Sequence, residues 1–281
     1  GRYVRDVEPD LLLHLTKPQT YGFAVAVVSK LKGIPFIVRN GGDILNAYQR
    51  IRGLPNRWRI FTRVTVLSYI AFRLAPMIIT IGGKLKEELI QRGIDEAKIR
   101  VIPQPLDRER FSPPSDKRSY KEMLDIPADE TMILFVGRMS KLESVDVVPS
   151  IIQHVLAGDE GYVFCFAGKS TSYGERLKAA GGERVRILGE IPHREMPDLY
   201  KAADLLIHIS NSEGSVPNSV LEALACGLPI CANRVGEVET VTGNVYDSVE
   251  GFSNFILSRN WKRDPVPQEF SFGDLFSHGV L

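Results

Sequence analysis

The sequence is poor in the residues that form disulfide frameworks and metal sites. Its 281 residues include three cysteines, Cys165, Cys226 and Cys231, and no Cys-x-x-Cys pair. Its five histidines are scattered, and no two are spaced as His-x-x-x-His. An odd number of cysteines without paired spacing argues against a disulfide scaffold and a zinc site, so we predict buried, reduced thiols in a cytoplasmic protein without a metal site.

Long hydrophobic runs and an excess of one charge are also missing. The longest apolar stretch, residues 64–83, contains Arg73 and Pro76, which favour a helix followed by a strand over a membrane span. The first ten residues are polar and show no signal peptide. Because 35 Lys and Arg residues balance 34 Asp and Glu residues, the overall charge does not indicate a nucleic-acid partner.

Short apolar runs alternate with helical segments along the chain. Predicted strands lie at 11–15, 34–40, 77–83, 98–103, 132–138, 162–168, 185–189, 204–210 and 228–234. Predicted helices lie at 21–33, 60–74, 84–93, 145–158, 173–182 and 195–203, with one more starting at Pro217. This alternation predicts an α/β fold with parallel sheets, arranged as two Rossmann-like, doubly wound domains that face each other across a cleft.

One segment has the composition of a domain boundary. Proline, serine and charged residues accumulate at 111–122, FSPPSDKRSYKE. We therefore predict an N-terminal domain at 1–112, a C-terminal domain at 113–264, and a tail at 265–281 that could return to the first domain.

The stretch SEGSVPNSVLEALACGLPI at 212–230 has the features of an anion site. Pro217 suits the first position of a helix, where its missing N–H is not needed. The backbone N–H groups of Asn218, Ser219 and Val220 then lack intrahelical acceptors, and the helix dipole adds positive charge there. Phosphate is a common ligand of such a helix start, and Gly214 would let another backbone approach closely.

Two carboxylates flank this predicted phosphate site. Glu213 precedes the helix, and Glu222 lies five residues beyond Pro217, about 7–8 Å along the axis. Carboxylates accept hydrogen bonds from vicinal diols, so the pair could hold the two sugars on either side of a diphosphate. This pattern favours a sugar nucleotide as ligand. The alternative for Glu222 is that it only stabilises the start of the helix through the dipole.

The order of motifs resembles glycosyltransferase family 4, whose members are retaining enzymes of the GT-B fold. The donor-site signature of that family is similar to residues 212–229, and its Val-Gly-Arg strand end is similar to FVGRMSK at 135–141. Residues 186–214 resemble its Leu-Gly…Leu-Tyr-x-x-Ala-Asp…Glu-Gly run, and residues 82–111 resemble the end of its acceptor domain. The resemblance therefore covers nearly the whole chain.

The resemblance implies transfer of a hexose-type sugar from a nucleotide-diphosphate sugar to an acceptor hydroxyl, with retention and without a metal or other cofactor. Glu213 would contact the transferred sugar and Glu222 the ribose, while Arg138 and residues 214–219 would hold the diphosphate and 189–193 would line the base. The implied catalytic residues are Glu213, Arg138 and Asp43. The implied donor-binding residues are Arg138, Lys141, Lys169, Ile191, Glu213, Gly214, Asn218, Ser219 and Glu222.

The chain departs from the family pattern in several places. Eight residues instead of seven separate the two glutamates, and the extra one falls at Ser215–Val216. The position of the usual diphosphate lysine holds Glu143, so Lys141 or Lys169 would replace it. The alternative for Lys169 is a solvated loop lysine without a ligand. Residues 104–107 and Gly82–Gly83 also differ from the family's acceptor-side motifs. Since the first strand and glycine-rich loop of the acceptor domain are missing, we expect an incomplete N-terminal domain.

The acceptor side has two candidate features. Asp43 follows Gly41–Gly42 at a predicted strand end, and it either binds the acceptor hydroxyl or caps the next helix. Residues 49–63 contain no acid, and arginines alternate there with aromatic residues. This segment either docks an anionic membrane surface or a lipid phosphate and so holds a lipid-linked acceptor, or it is a solvated helix face or pairs its arginines with acids elsewhere. Its candidate docking residues are Arg50, Arg52, Arg57, Trp58, Arg59 and Arg63.

Two other functions stay open on the same fold. A sugar-nucleotide epimerase would need catalytic acids from the first domain, where Asp43 is the candidate, whereas a phosphorylase would need a cofactor lysine for which no signal is found. A non-catalytic protein that binds sugar nucleotides is also compatible with Glu143. We expect a cytoplasmic protein, located at the cytoplasmic face of the membrane if the basic segment docks there.

Overall fold

The computed structural model describes residues 6–15, 18–50, 53–139, 147–267 and 270. It divides the chain into two compact units, residues Gly1–Pro103 and Gln104–Leu281. Each unit is built on a parallel sheet with helices, which confirms the predicted α/β class. The division lies before the predicted boundary at 112/113, because Leu106 and Phe111 are buried in the core of the second unit.

The first unit contains a four-stranded parallel sheet in the order β1-β2-β3-β4. Its strands lie at the four predicted places and are β1 (Leu12–His14), β2 (Phe36–Asn40), β3 (Met77–Thr80) and β4 (Ile99–Val101). Its α-helices are α1 (Phe23–Lys32), α2 (Leu54–Ile60), α3 (Leu67–Leu74) and α4 (Gly83–Gln91). Phe36, Val38 and Ile78 of the strands pack against Phe72 and Leu89 of the helices, so the apolar strand residues form the core.

The helical region before β3 is longer than the sequence predicted. The chain is helical from Leu54 to Leu74, where the sequence predicted a start near residue 60, and a π-helical segment at Phe61–Val66 joins α2 to α3. A second π-helical segment, Pro18–Gly22, precedes α1. Pro55 in the first turn of α2 explains the earlier start, because proline suits that position.

The second unit contains a five-stranded parallel sheet in the order β7-β6-β5-β8-β9. Its strands are β5 (Thr131–Val136), β6 (Tyr162–Ala167), β7 (Val185–Gly189), β8 (Leu205–His208) and β9 (Ile230–Ala232). Every residue of β6, β8 and β9 is buried, and separate apolar clusters cover the two faces of the sheet. The continuous apolar strands therefore predicted a doubly covered parallel sheet correctly.

The α-helices of this unit follow the predicted order with two additions. They are α5 (Lys117–Glu122), α6 (Val148–Gly158), α7 (Tyr173–Gly181), α8 (Met196–Ala202), α9 (Asn218–Ala225) and α10 (Val249–Ser258). Helix α10 was not predicted from the sequence, although the Ser248 hydroxyl accepts a hydrogen bond from the Gly251 N–H at 3.0 Å, as an N-cap does. Phe252 and Ile256 of α10 then pack into the core beside α6.

The stretch expected to link two domains contains α5, which is anchored to the second unit. Asp204 Oδ1 lies 3.0 Å from Lys117 Nζ, and Asp204 Oδ2 lies 2.7 Å from Lys121 Nζ. Asp204 Oδ2 also accepts a hydrogen bond from the Met132 N–H at 2.8 Å. Lys121 is buried, and its ammonium also donates to Glu130 O. One carboxylate thus joins α5 to the start of β5.

The described part of the tail packs on the second unit. The Leu106 N–H donates to Phe270 O at 2.9 Å, and Phe270 is buried in that unit's core. Arg108 donates to the carbonyl oxygens of Val266 and Pro267. The other residues of the predicted tail after Pro267 lie outside the described part of the chain, as does any return to the first unit.

The three cysteines are buried and unpaired, as the sequence predicted. Burial raises the pKa of Cys165 and of Cys226 to about 12, and it also raises the pKa of Cys231. The thiols therefore stay protonated at neutral pH and act as small apolar side chains. Among the described residues, no helix has the length and apolar character needed to cross a bilayer.

The Asp204 contacts predict a specific loss of stability. Asp204→Ala should lower the free energy of unfolding by about 3 kcal/mol, because the buried Lys121 ammonium would lose its carboxylate partner. Chemical denaturation followed by circular dichroism measures this change. Asp198→Ala, at an exposed position on α8, is the matched control and should change stability by less than about 0.5 kcal/mol. Equal effects of the two substitutions would contradict this account.

Candidate functional site

The candidate donor residues lie in loops at the carboxyl edge of the second unit's sheet. From β5 the chain proceeds outward to β6 and β7 on one side, and then to β8 and β9 on the other. The point where the strand order reverses is therefore between β5 and β8. Arg138 follows β5 and Glu213 follows β8, so the structure places these two predicted residues on the strands that flank this point.

The loops that carry Arg138 and Lys169 are held together by backbone contacts. The Gly137 N–H donates to Ala167 O at 2.9 Å, and the Met139 N–H donates to Lys169 O at 3.0 Å. Gly168 has a φ of 134°, and a Cβ there would lie 2.1 Å from Gly137 O, so no larger residue fits. Arg138 and Lys169 are both exposed, whereas Lys141 and Glu143 lie outside the described residues.

The loop that carries Glu213 and Gly214 packs closely on the loop after β9. A Cβ at Gly236 would lie 2.2 Å from Ser215 O and 2.8 Å from the Glu213 Cβ, and Gly236 has a positive φ of 57°. The Ser215 hydroxyl donates to Glu237 Oε2 at 2.7 Å. Gly214 and Val216 are buried, so the extra residue relative to the family pattern is packed inside.

His208, which was not predicted as a site residue, lies next to Glu213. His208 ends β8, its side chain is 8% exposed, and its Nε2 is 3.6 Å from Glu213 Oε1. That separation is too long for a hydrogen bond, and His208 Nε2 has no hydrogen-bond partner among the described residues. The Glu213 side chain is 29% exposed, so part of it is in contact with solvent.

The start of α9 differs by one position from the prediction. Pro217 is the N-cap, with extended backbone angles, and the helix begins at Asn218. The Val220 N–H donates to Pro217 O at 3.0 Å, so it does not serve as a free donor as predicted. The N–H groups of Asn218 and Ser219 have no acceptor among the described residues, and Asn218 is exposed. Two N–H donors therefore stand at the positive end of α9.

The carboxylate of Glu222 is held by two side chains. His193 Nε2 lies 2.8 Å from Glu222 Oε1, and the Tyr200 hydroxyl donates to Glu222 Oε2 at 2.8 Å. Glu222 is the fifth residue of α9, beyond the first turn in which the helix dipole acts most strongly. The contacts with His193 and Tyr200 and the position beyond the first turn argue against the alternative that Glu222 only stabilises the start of α9. Tyr200 lies in the Leu-Tyr-x-x-Ala-Asp motif, but the motif does not reveal this contact.

Ile191, the predicted base-lining residue, is half-buried in the loop after β7. It packs against the apolar core of the second unit, so part of its side chain is already used in folding. His193 follows it and is largely exposed. Within the described residues, no group of three His, Cys, Asp or Glu side chains could hold a metal ion.

In the first unit, Asp43 belongs to a network of polar side chains. The Asn46 side-chain amide donates to Asp43 Oδ1 at 2.9 Å and to Glu88 Oε1 at 2.8 Å, and Arg92 donates to Asn46 Oδ1 at 2.6 Å. Burial, followed by the nearby Asp43 charge, raises the pKa of Glu88. Two half-buried carboxylates, Asp43 after β2 and Glu88 on α4, thus share the Asn46 amide, and the sequence had indicated only Asp43.

The arginine-rich segment forms an exposed surface on α2 and the π-helical turn after it. Trp58 is 68% exposed and Leu54 is 80% exposed, and Arg57, Arg59 and Arg63 are exposed beside them. The Arg57 guanidinium lies over the Tyr48 ring, 5.6 Å from its centroid. The side chain of Arg50 and the whole of Arg52 lie outside the described residues.

The architecture is that of the GT-B glycosyltransferases, as solved structures of low sequence identity show. Anabaena Alr3699/HepE, solved in complex with UDP and glucose, superposes with a TM-score of 0.74 at 21% identity, over 92% of this chain and 70% of that protein.

Two family models match the sequence. The model described as "Glycosyltransferase Family 4" matches residues 1–110, and the model described as "Glycosyl transferases group 1" matches residues 130–258. The chain belongs to the family 4-like glycosyltransferases.

Named relatives match parts of the chain. A Bacillus subtilis (strain 168) protein named as a teichuronic acid biosynthesis glycosyltransferase, TuaC, is 28% identical over 242 residues, which are 85% of this chain and 57% of TuaC. A D-inositol 3-phosphate glycosyltransferase of Xylanimonas cellulosilytica is 34% identical over 176 residues, 59% of this chain and 41% of the relative. The chain therefore spans about half the length of these two relatives.

Proposed function

We propose that this chain forms part or all of a retaining glycosyltransferase that moves a hexose-type sugar from a nucleotide-diphosphate sugar to an acceptor hydroxyl. The proposal rests on the loops at the carboxyl edge of the second unit's sheet. Two open N–H groups at the start of α9 lie between the carboxylates of Glu213 and Glu222 along the chain. The names of the relatives and the UDP-bound neighbour support the same ligand class.

Each group of the proposed donor site has a distinct task. The N–H groups of Asn218 and Ser219 would bind the diphosphate, with the cations of Arg138 and Lys169 on the neighbouring loops. Negative charge develops on the diphosphate as the sugar bond breaks, and these donors would stabilise it without a metal ion or other cofactor. Lys141 is a further candidate for this task.

The two glutamates would act on different sugars. Glu213, partly exposed above His208, would orient the transferred sugar through its hydroxyls and stabilise positive charge near the anomeric carbon. Glu222 would accept hydrogen bonds from the ribose hydroxyls, and Ile191 would contact the base. Gly236 lets the Glu213 loop pack closely on the loop after β9, and Gly214, which has no side chain, would let the donor approach the backbone.

The acceptor side of the proposal rests on the first unit. Asp43 would accept a hydrogen bond from the acceptor hydroxyl. Burial, and then the nearby Asp43 charge, raise the pKa of Glu88. The exposed Trp58 and arginines of α2 favour an acceptor carried on an anionic lipid surface. The three buried thiols are in keeping with a cytoplasmic location.

Incubation with UDP-, GDP- and ADP-sugars tests the proposal directly. We expect one donor class to release nucleoside diphosphate, and release should rise when an acceptor glycan or glycolipid is added. An isomerised donor without release would indicate the epimerase instead, and binding without turnover would indicate a non-catalytic sugar-nucleotide binder. No binding of any donor in a thermal-shift screen would contradict all three functions.

Substitution of the two glutamates should separate their roles. Glu222→Ala should weaken nucleoside diphosphate binding roughly tenfold or more, because hydrogen bonds from the ribose to a charged carboxylate are lost. Glu213→Ala should lower turnover strongly and change nucleotide affinity little, since it acts on the transferred sugar. Isothermal titration and steady-state kinetics measure the two effects. Glu195→Ala, an exposed glutamate near His193, is the control, and similar binding losses with normal turnover in both variants would refute these assignments.

Membrane docking predicts a difference between vesicle types. The protein should sediment with anionic liposomes and not with neutral ones. Replacing Arg57, Arg59 and Arg63 with Gln should reduce partitioning roughly a hundredfold, at about 1 kcal/mol per arginine near the surface. The same replacement of exposed Arg118, Arg176 and Arg194 serves as the charge-matched control. Equal sedimentation of the unsubstituted protein with both vesicle types would rule out the docking surface.

A further inference from the structure

We propose that Arg110, His193 and Tyr200 are positioning residues that orient the Glu222 carboxylate for the nucleotide. The proposal rests on the function proposed above for Glu222. All four residues lie in the second unit, but in three separate chain segments: the stretch before α5, the region from β7 through α8, and α9.

His193 and Tyr200 hold the Glu222 carboxylate, one at each oxygen. His193 Nε2 is 2.8 Å from Glu222 Oε1, and the Tyr200 hydroxyl is 2.8 Å from Glu222 Oε2. The Glu222 side chain is 13% exposed, so it has limited freedom to rotate. A carboxylate offers about four acceptor positions, so two remain for a ligand diol after both contacts are made. The arrangement holds Glu222 in place without saturating it.

The Tyr200 hydroxyl stays protonated and is therefore a hydrogen-bond donor. Its ring is fully buried between α8 and the sheet, and burial, then the charge of Glu222, raise its pKa well above the ordinary value. The phenol therefore stays protonated, and the negative charge of the pair stays on Glu222. Tyr200 thus donates to Glu222 Oε2 over the whole neutral range.

Arg110 determines which ring nitrogen of His193 carries the hydrogen. Arg110 Nη1 lies 3.4 Å from His193 Nδ1, and Arg110 Nη2 donates to the His193 carbonyl oxygen. A guanidinium has only donors, so His193 Nδ1 must accept. The ring hydrogen is then on Nε2, the atom beside Glu222 Oε1. Through this tautomer, Arg110 acts on Glu222 without touching it.

The turn before α5, at residues 107–111, packs against both His193 and Tyr200. Phe111 is buried, and its ring centroid lies 5.6 Å from that of His193 and 6.1 Å from that of Tyr200. The Arg110 and Phe111 N–H groups donate to Asp107, to Oδ1 at 3.1 Å and to the carbonyl at 2.9 Å. The Arg110 guanidinium packs over the Phe111 ring, 5.5 Å from its centroid. These contacts place the guanidinium at the edge of the imidazole.

Core packing alone does not account for His193. Its side chain is 64% exposed, so its contact with Glu222 contributes little to the apolar core. Arg110 is half-buried, and its guanidinium contacts two atoms of the same residue, His193 Nδ1 and the His193 carbonyl oxygen. Removal of either side chain should therefore leave the fold intact and act on the orientation of Glu222.

Binding of UDP, GDP and ADP to the full chain, measured by isothermal titration, tests the proposal. For the nucleotide that the unsubstituted protein binds, His193→Phe and Tyr200→Phe should each raise Kd roughly tenfold, because an orienting hydrogen bond to a charged group is lost. His193→Gln should recover part of the affinity, since its amide can donate to Glu222. Arg110→Met should raise Kd, whereas the matched control Arg194→Met, an exposed arginine next to His193, should not.

Nitrogen-15 NMR of the imidazoles supplies a readout that a purely structural role would not change. In the ligand-free protein, the His193 ring should carry its hydrogen on Nε2, and Arg110→Met should produce a mixture of tautomers. Circular dichroism confirms that each variant is folded. Unchanged Kd values in the folded variants, or a hydrogen on Nδ1 of His193, would overturn this inference alone. If the unsubstituted protein binds none of the three nucleotides, the proposed function fails, and this inference fails with it.

Discussion

The architecture of the second unit depends on the burial of its parallel sheet on both faces. Strands β5, β6, β8 and β9 have almost no exposed residue, so their side chains are committed to the core and cannot provide chemistry. Parallel strands all end at one edge, which leaves the loops at that edge for polar residues. Because the strand order reverses between β5 and β8, Arg138 and the Glu213 loop come from strands that pair directly.

Close backbone packing turns these loops into a site. Gly168 allows the loops after β5 and β6 to touch, and Gly236 allows the Glu213 loop to rest on the loop after β9. Cations and N–H donors would meet the charge of a diphosphate, and carboxylates are better suited to hydroxyl groups. Under the proposed function, segregation of these charges over four loops would let one edge hold the different parts of a sugar nucleotide.

Glu222 shows how a binding group depends on residues that never reach the ligand in the proposed arrangement. Its two donors come from a buried tyrosine and an exposed histidine, and a guanidinium supports the histidine. In the first unit, Asp43 and Glu88 share Asn46 as a common donor in a similar way. Both networks are built from residues far apart in the chain, so each requires its unit to be folded.

The sequence by itself determined the class of fold, most strand positions and the buried cysteines, because apolar periodicity and burial follow directly from residue type. It also determined the candidate residues Glu213 and Glu222, because their spacing around a helix start is local. Only the tertiary structure decided that Lys117–Glu122 packs on the second unit, that Pro217 lies before the helix, and that His193 and Tyr200 contact Glu222 while Arg110 contacts His193. The contacts around Glu222 and His193 join residues separated by 22 to 83 positions, and no local pattern encodes which distant side chains will meet.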